Sequence, residues 1–233
     1  GCRRWRPWCR RGADRAAQTW SATATYLEQK LPGQKFRIVP LRFDEIHLAV
    51  RQRSIEFVLA NPSYYVELES LYGVSPVVTM RNKHNGGPGY SQFGGVIFTR
   101  ADRSDIHEFA DLKGKVFAAV DKESFGGWHA GWRELLRQGL NPEADFKALN
   151  FAGTHDAVVY AVRDGKVDAG TVRTETLEHM EAEGLIKLSD FYVLGERRQD
   201  DFPLLHRTDI TPESPLAKLS GVPDARAVQQ AGA

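Results

Sequence analysis

The sequence predicts an α/β fold with layered, mainly parallel sheets. Three observations carry this. Short apolar runs alternate with helix-period segments along nearly the whole chain. Composition is that of a globular protein, 42% hydrophobic, 26% charged and 10% aromatic, which excludes wholesale disorder and fibrous repeats. A length of 233 residues suits one large domain or two small lobes.

Residues 21–31 read as a helix, with Ser21 as N-cap and Pro32-Gly33 as its stop. Residues 35–41 follow as a strand, 43–52 as a helix and 55–60 as a buried strand. Asn61 and Pro62 suit N-cap and first helical position of a helix running to about Tyr72, with Gly73 past its end. Residues 76–80 form a strand, and a Gly-rich polar loop leads to another over 94–100. Residues 115–120 are a strand, 121–127 a loop, and 128–138 a helix closed by Gly139. Residues 146–151 are extended, and Gly153-Thr154 opens a helix closed by Asp164-Gly165. A strand over 167–172 and a helix over 174–183 come next, then extended segments at 190–195 and 202–206.

Lys+Arg total 31 against 30 Asp+Glu, so the net charge of +1 gives no nucleic-acid footprint. The balance is uneven, because residues 1–20 hold six arginines against the single acid Asp14. No run approaches the roughly 18 apolar residues of a membrane span, and no signal-peptide pattern is present. Cys2 and Cys9, the only cysteines, match no metal spacing, so neither a zinc site nor a disulfide framework is expected. Asn61-Pro62-Ser63 is not a glycosylation acceptor, since proline holds the middle place. Catalysis is not expected: there is no nucleophile elbow, phosphate-loop or dinucleotide fingerprint, and His155 and Asp156 are helix neighbours pointing apart. No cofactor and no metal are expected.

In parallel α/β sheets, ligands sit where strands end and helix N-termini point inward. Three such junctions stand out: 60–63, 121–127 and 151–155. Each offers helix-start amides lacking intrahelical partners, with a hydroxyl or imidazole beside them. Ser63 with Tyr64 and Tyr65, Ser124 before Gly126-Gly127, and Thr154 with His155 supply these groups. Taken singly, Asn61, Ser124 and Thr154 read as ordinary helix caps. Converging, the three helix starts would hold an oxyanion.

The strings FVLANPSYYVELESLYGV, KVFAAVDKESFGGW and FAGTHDAVVYAVRDGKVDAGTV resemble the PhnD-like, phosphonate-binding family of periplasmic substrate-binding proteins. Within it they resemble the branch forming the periplasmic sensor region of tetrathionate-sensor-like histidine kinases. The resemblance implies a type II periplasmic binding protein fold, with two α/β lobes, two hinge strands and a ligand in the interlobe cleft. It implies no catalytic role. Lobe 1 would comprise 21–93 plus 195–233 and lobe 2 94–194, with crossings near 93–97 and 193–196. The family's aromatic maps to Tyr64 or Tyr65, with Tyr64 favoured. Its phosphonate cradle of Ser, Thr, Ser and Gly maps to Ser124-Phe125-Gly126-Gly127, where two hydroxyls are missing. Its histidine maps to His155. With Asn61, Thr154, Thr171 and Arg173, these form the expected ligand set. The ligand class implied is a small oxyanion: phosphonate, phosphate or a sulfur oxyanion such as tetrathionate. The resemblance also implies an extracytoplasmic location, membrane-tethered at full length. The partner would be a kinase membrane region or, alternatively, an ABC permease.

Residues 1–20 do not read like the apolar first strand that such a lobe needs. Reading Trp5-Arg6-Pro7-Trp8-Cys9 one base out of frame permits Gly, Val, Leu, Gly and Val or Ala. The expectation is therefore a frame break here and a first lobe lacking its first strand; the bland alternative is a basic arm that binds anionic lipid.

Overall fold

The computed structural model describes residues 2–7, 13–83, 89–199 and 202–223. In chain order the elements are β1 (Cys2–Pro7), α1 (Ala13–Lys30), β2 (Lys35–Ile38), α2 (Phe43–Arg51), β3 (Phe57–Leu59), α3 (Pro62–Tyr72) and β4 (Ser75–Thr79). Next come β5 (Gln92–Phe93), β6 (Gly95–Arg100), β7 (Val116–Ala119), a π-helical turn (Phe125–His129), α4 (Ala130–Arg137), α5 (Pro142–Asp145), β8 (Ala148–Phe151) and α6 (His155–Arg163). The chain finishes with β9 (Ala169–Arg173), α7 (Thr176–Ala182), β10 (Phe191–Val193), β11 (Arg197–Gln199), β12 (Phe202–His206), β13 (Thr211–Pro212) and β14 (Pro215–Lys218). No described helix is long and apolar enough to cross a membrane.

The chain divides into two compact units: Gly1–Ser91 with Pro212–Ala233, and Gln92–Thr211. The first holds a sheet in the order β2-β1-β3-β14-β4. β1 runs parallel to both β2 and β3, and β14 is antiparallel to both of its neighbours. Phe57, Val58 and Leu59 are all buried, as a strand covered on both faces should be. Ile46 and Val50 of α2 and Leu68 of α3 pack on them. α3 starts where Asn61 Oδ1 accepts the Tyr64 amide at 3.0 Å, and it ends where Gly73 turns left-handed with φ 65°.

Two expectations for this unit need correction. Residues 2–7 do form a strand, inserted between β2 and β3, so the first-strand place in the sheet is filled. The ladder is made by backbone groups, which arginine and tryptophan carry as well as valine does; Pro7, lacking an N–H, stands at the strand's end. The following helix begins at Ala13 rather than Ser21, and Ser21 sits within it, its hydroxyl donating to the Gln18 carbonyl at 2.8 Å. The remainder of 1–20, at 1 and 8–12, lies outside the described residues.

The second unit is built on the sheet β10-β6-β9-β7-β8. β9, β7 and β8 run parallel, while β6 runs antiparallel to β9 and β10. Strand periodicity divides its core in two. Val96, Phe98, Ala118, Val120 and Val172 face one layer with Val158 and Val162 of α6. Ile97, Phe117, Ala119 and Ala169 face the other with Trp128 and Leu135. Thr171 and Arg173 share the parity of Ala169, and both lie against the helical segment 125–137: Gly126 packs against Arg173, and Gly131 against Thr171.

The return crossing also needs correction. It lies at Thr211/Pro212, not near residues 193–196, so 195–211 belong to the second unit. Val193 is paired with Phe98 inside the sheet, and β11–β12 form an antiparallel hairpin. The chain beyond that hairpin stays tied to β6, where the Arg207 amide donates to the Gly95 carbonyl at 3.0 Å. The helix expected from Trp128 begins earlier, as the π turn from Phe125.

Candidate functional site

In the second unit two helix starts meet the end of one strand. The first follows β7. Ser124, fully buried, caps the π turn by accepting the Gly127 amide on Oγ at 3.1 Å. The His129 amide reaches the Ser124 carbonyl at 3.0 Å, the wide ring of a π turn, a form found frequently at functional sites. Both glycines are forced by close approach. A Cβ on Gly126 would stand 2.9 Å from Phe93 and 3.0 Å from Arg173 Cβ, and one on Gly127 would stand 2.3 Å from Val120.

The second start follows β8. Gly153 has φ 84°, and Thr154 caps α6 by accepting the Ala157 amide at 3.2 Å. His155 is buried at 2% exposure, and its Nδ1 accepts the Arg173 amide at 3.2 Å. That bond assigns the ring proton of the neutral imidazole to Nε2, making Nε2 a donor.

β9 ends between them at Arg173. Its side chain is 4% exposed, so it is not a solvated surface charge. The guanidinium lies 4.2 Å from the centre of the Phe93 ring and 3.9 Å from Glu175 Oε2. Phe93 in turn meets Phe125 edge-on at 5.6 Å. Glu175 is 7% exposed, holds φ 77°, and has its other oxygen 3.2 Å from His179 Nε2. Thr171, two residues earlier, is fully buried against Gly131.

Gly126, His155 and Arg173 are thus brought together within the second unit, with Ser124, Phe125, Thr154 and Thr171 on the same elements. Asn61, Tyr64 and Tyr65 lie in the first unit. There Asn61 Oδ1 accepts from both the Tyr64 amide and the Ser63 hydroxyl, at 3.0 and 2.9 Å. Tyr64 is a core residue whose hydroxyl donates to the Phe43 carbonyl at 2.8 Å, with its ring against Phe43 and His47. Tyr65 is half-buried and donates to Glu69 Oε1 at 2.6 Å. Desolvation, then the bond to the Glu69 carboxylate, pushes its phenol up to about 12.

Phe93 and Glu175 were missed by sequence reasoning. Phe93 precedes a glycine pair and is read only as part of a crossing between lobes. Glu175 follows Arg173 by two positions, but nothing local announces a buried carboxylate with a left-handed backbone. An acid, Glu175, therefore stands two residues past this strand end. Among the described residues no group of His, Cys, Asp and Glu could hold a metal ion.

Comparison with known proteins agrees with this architecture. The family of periplasmic substrate-binding proteins of phosphonate ABC transporters matches residues 10–231. The tetrathionate sensor histidine kinase of Salmonella typhimurium is 38% identical over 218 residues, covering 93% of this chain and 36% of that protein. The chain therefore spans about a third of the length of that relative. Two solved structures share the fold at 15% identity and a TM-score of 0.77. PhnD1 from Prochlorococcus marinus with methylphosphonate aligns over 99% of this chain and 82% of its own. A phosphonate-transporter binding component from Pseudomonas aeruginosa aligns over 98% and 72%. An ancestral arginine-binding protein shares the fold more distantly, at a TM-score of 0.58 and 15% identity, over 99% of this chain and 90% of its own. The fold is that of a type II periplasmic binding protein, and the chain belongs to the family of phosphonate-type periplasmic substrate-binding proteins.

Proposed function

We propose that this chain binds a small oxyanion outside the cytoplasm, without catalysis, as the sensor region of a membrane-tethered histidine kinase. One observation carries the binding reading: in the second unit, the helix starts at Ser124–Gly126 and Thr154–His155 meet a buried arginine, Arg173. Helix-start amides favour negative charge, and the Arg173 guanidinium, desolvated and partly offset by Glu175 at 3.9 Å, adds N–H donors. The Ser124 and Thr154 oxygens accept amides of their own helices, which leaves each hydroxyl hydrogen to be donated. His155 Nε2–H adds a further donor. Phosphonate, phosphate and sulfur oxyanions all suit such donors.

Three or four charge-assisted bonds of roughly 1.5–3 kcal/mol each, less ordering costs, reach the approximately −8 kcal/mol of a micromolar site. Ligand binding would act by favouring one arrangement of the chain over another, which requires contacts unique to the favoured state. The sensor role is supported by 38% identity over 93% of the chain to a sensor kinase. A soluble transporter component docking on an ABC permease is the second reading, favoured by the family description.

The test is a thermal-shift screen with methylphosphonate, phosphate, phosphite, thiosulfate and tetrathionate. At about 100 times Kd, one of them should raise Tm by roughly 5–10 °C. His155→Ala and Ser124→Ala should remove the shift. A folded sample unmoved by every anion would overturn the binding reading. Whether the reading frame continues into a kinase domain decides between sensor and transporter.

A further inference from the structure

We propose that the exposed face of the second unit carrying Arg133, Leu136, Arg137 and Arg197 is a docking surface for anionic phospholipid headgroups. Three guanidinium groups gather there around one carboxylate. Asp209 Oδ2 lies 2.6 Å from Arg137 Nη1 and 3.7 Å from Arg133 Nη1, and its Oδ1 lies 3.6 Å from Arg197 Nη1. Hydrogen bonding from Arg137 holds the Asp209 carboxyl below the usual carboxylate range, so Asp209 is ionised at neutral pH and contributes one negative charge. Two positive charges remain in excess among these groups. The three arginine side chains are 63%, 45% and 43% exposed.

The neighbouring cation does not add to this excess. Arg207 is largely buried and paired with Glu134 at 2.8 Å, where Gln138 also donates to the glutamate. The surface cluster is therefore a separate feature, held in place by Asp209 yet under-neutralised. Helix α4 presents Arg133 and Arg137 one turn apart, and Leu136, 50% exposed, is the i+3 neighbour of Arg133. An exposed leucine three residues from Arg133 suits a plane of phosphate headgroups above acyl chains. A stable protein interface would instead bring a continuous apolar core. Arginine also matches phosphate oxygens bidentately.

The experiment is vesicle flotation of the full chain on phosphatidylcholine vesicles with and without phosphatidylglycerol. Binding should require phosphatidylglycerol and fall as NaCl rises. Arg133→Gln, at the most exposed position, should weaken binding about fivefold, and R133Q/R137Q about thirtyfold. Asp209→Asn adds one net positive charge and should strengthen binding. The arginines of residues 1–20 are present in every variant, so their attraction cancels in the comparison. Near-ultraviolet circular dichroism checks each fold, and the anion-dependent Tm shift of R133Q should match that of the parent chain. Unchanged vesicle binding in R133Q and R133Q/R137Q would overturn the proposal. So would weaker binding by D209N. Equal binding to soluble polyglutamate and to vesicles would reassign the face to an acidic protein partner.

Discussion

The two units follow one plan but treat polar groups at helix starts differently. In the first, Asn61 caps α3, and the hydroxyls of Ser63, Tyr64 and Tyr65 all donate to partners within the unit. In the second, the caps Ser124 and Thr154 bring two helices to a buried Arg173–Glu175 pair whose side chains are 4% and 7% exposed. Hydrogen bonds to a cap, a carbonyl and an exposed carboxylate fasten an element at little cost. A buried ion pair is costly to desolvate and adds little net stability, so keeping one at a strand end is easier to explain by recognition than by folding.

The sharpest way to break this contrast is Arg173→Met. It leaves Glu175 buried beside His179 without its guanidinium, and should lower unfolding free energy by about 3–5 kcal/mol in urea titrations. Adding Glu175→Gln should recover much of that loss; no recovery would mean the pair is not coupled. Next in size is Gly127→Ala, whose methyl would stand 2.3 Å from Val120. A cost of about 2–3 kcal/mol is expected, with loss of anion binding through displacement of the Ser124 turn. Asn61→Ala should cost about 1 kcal/mol by uncapping α3, with anion affinity changed far less than by Ser124→Ala.

The smallest effect concerns acid. Asp105 bridges Arg103 and Lys115, and their hydrogen bonds hold its carboxyl well below the usual range. Asp168 meets a desolvation that raises its pKa, outweighed by the Val116 amide and Arg103, so it too is lowered. A carboxyl lowered on folding stabilises above its unfolded value of 3.8, and that contribution is lost as pH falls through the folded value. Stability should hold from neutral pH to about 4 and decline below it, and Asp105→Asn should flatten the decline.

Much of the fold was legible because its signals are local. Asn61, Ser124 and Thr154 do cap helices, and Gly73, Gly139 and Gly165 take the left-handed turns expected past helix ends. What was not legible depends on distant partners. The strand character of 2–7 comes from pairing with β2 and β3, against its own composition. The allegiance of 195–211 rests on bonds to Gly95, far off in sequence. Within the candidate site, Gly126 and His155 were readable from glycine and capping patterns. Phe93 under Arg173, and Glu175 beside it, were not, because a cation over a ring and a buried carboxylate leave no periodic trace.

The placement of β14 carries a consequence for biosynthesis. In the first unit's sheet β3 is flanked by β1, which precedes it, and by β14, which follows the second unit. The second unit is one continuous stretch, Gln92–Thr211. On a ribosome, the second unit can therefore mature while β3 of the first still waits for β14 to emerge. During that interval β3 has an open edge, and a chaperone or a premature stop would act there first.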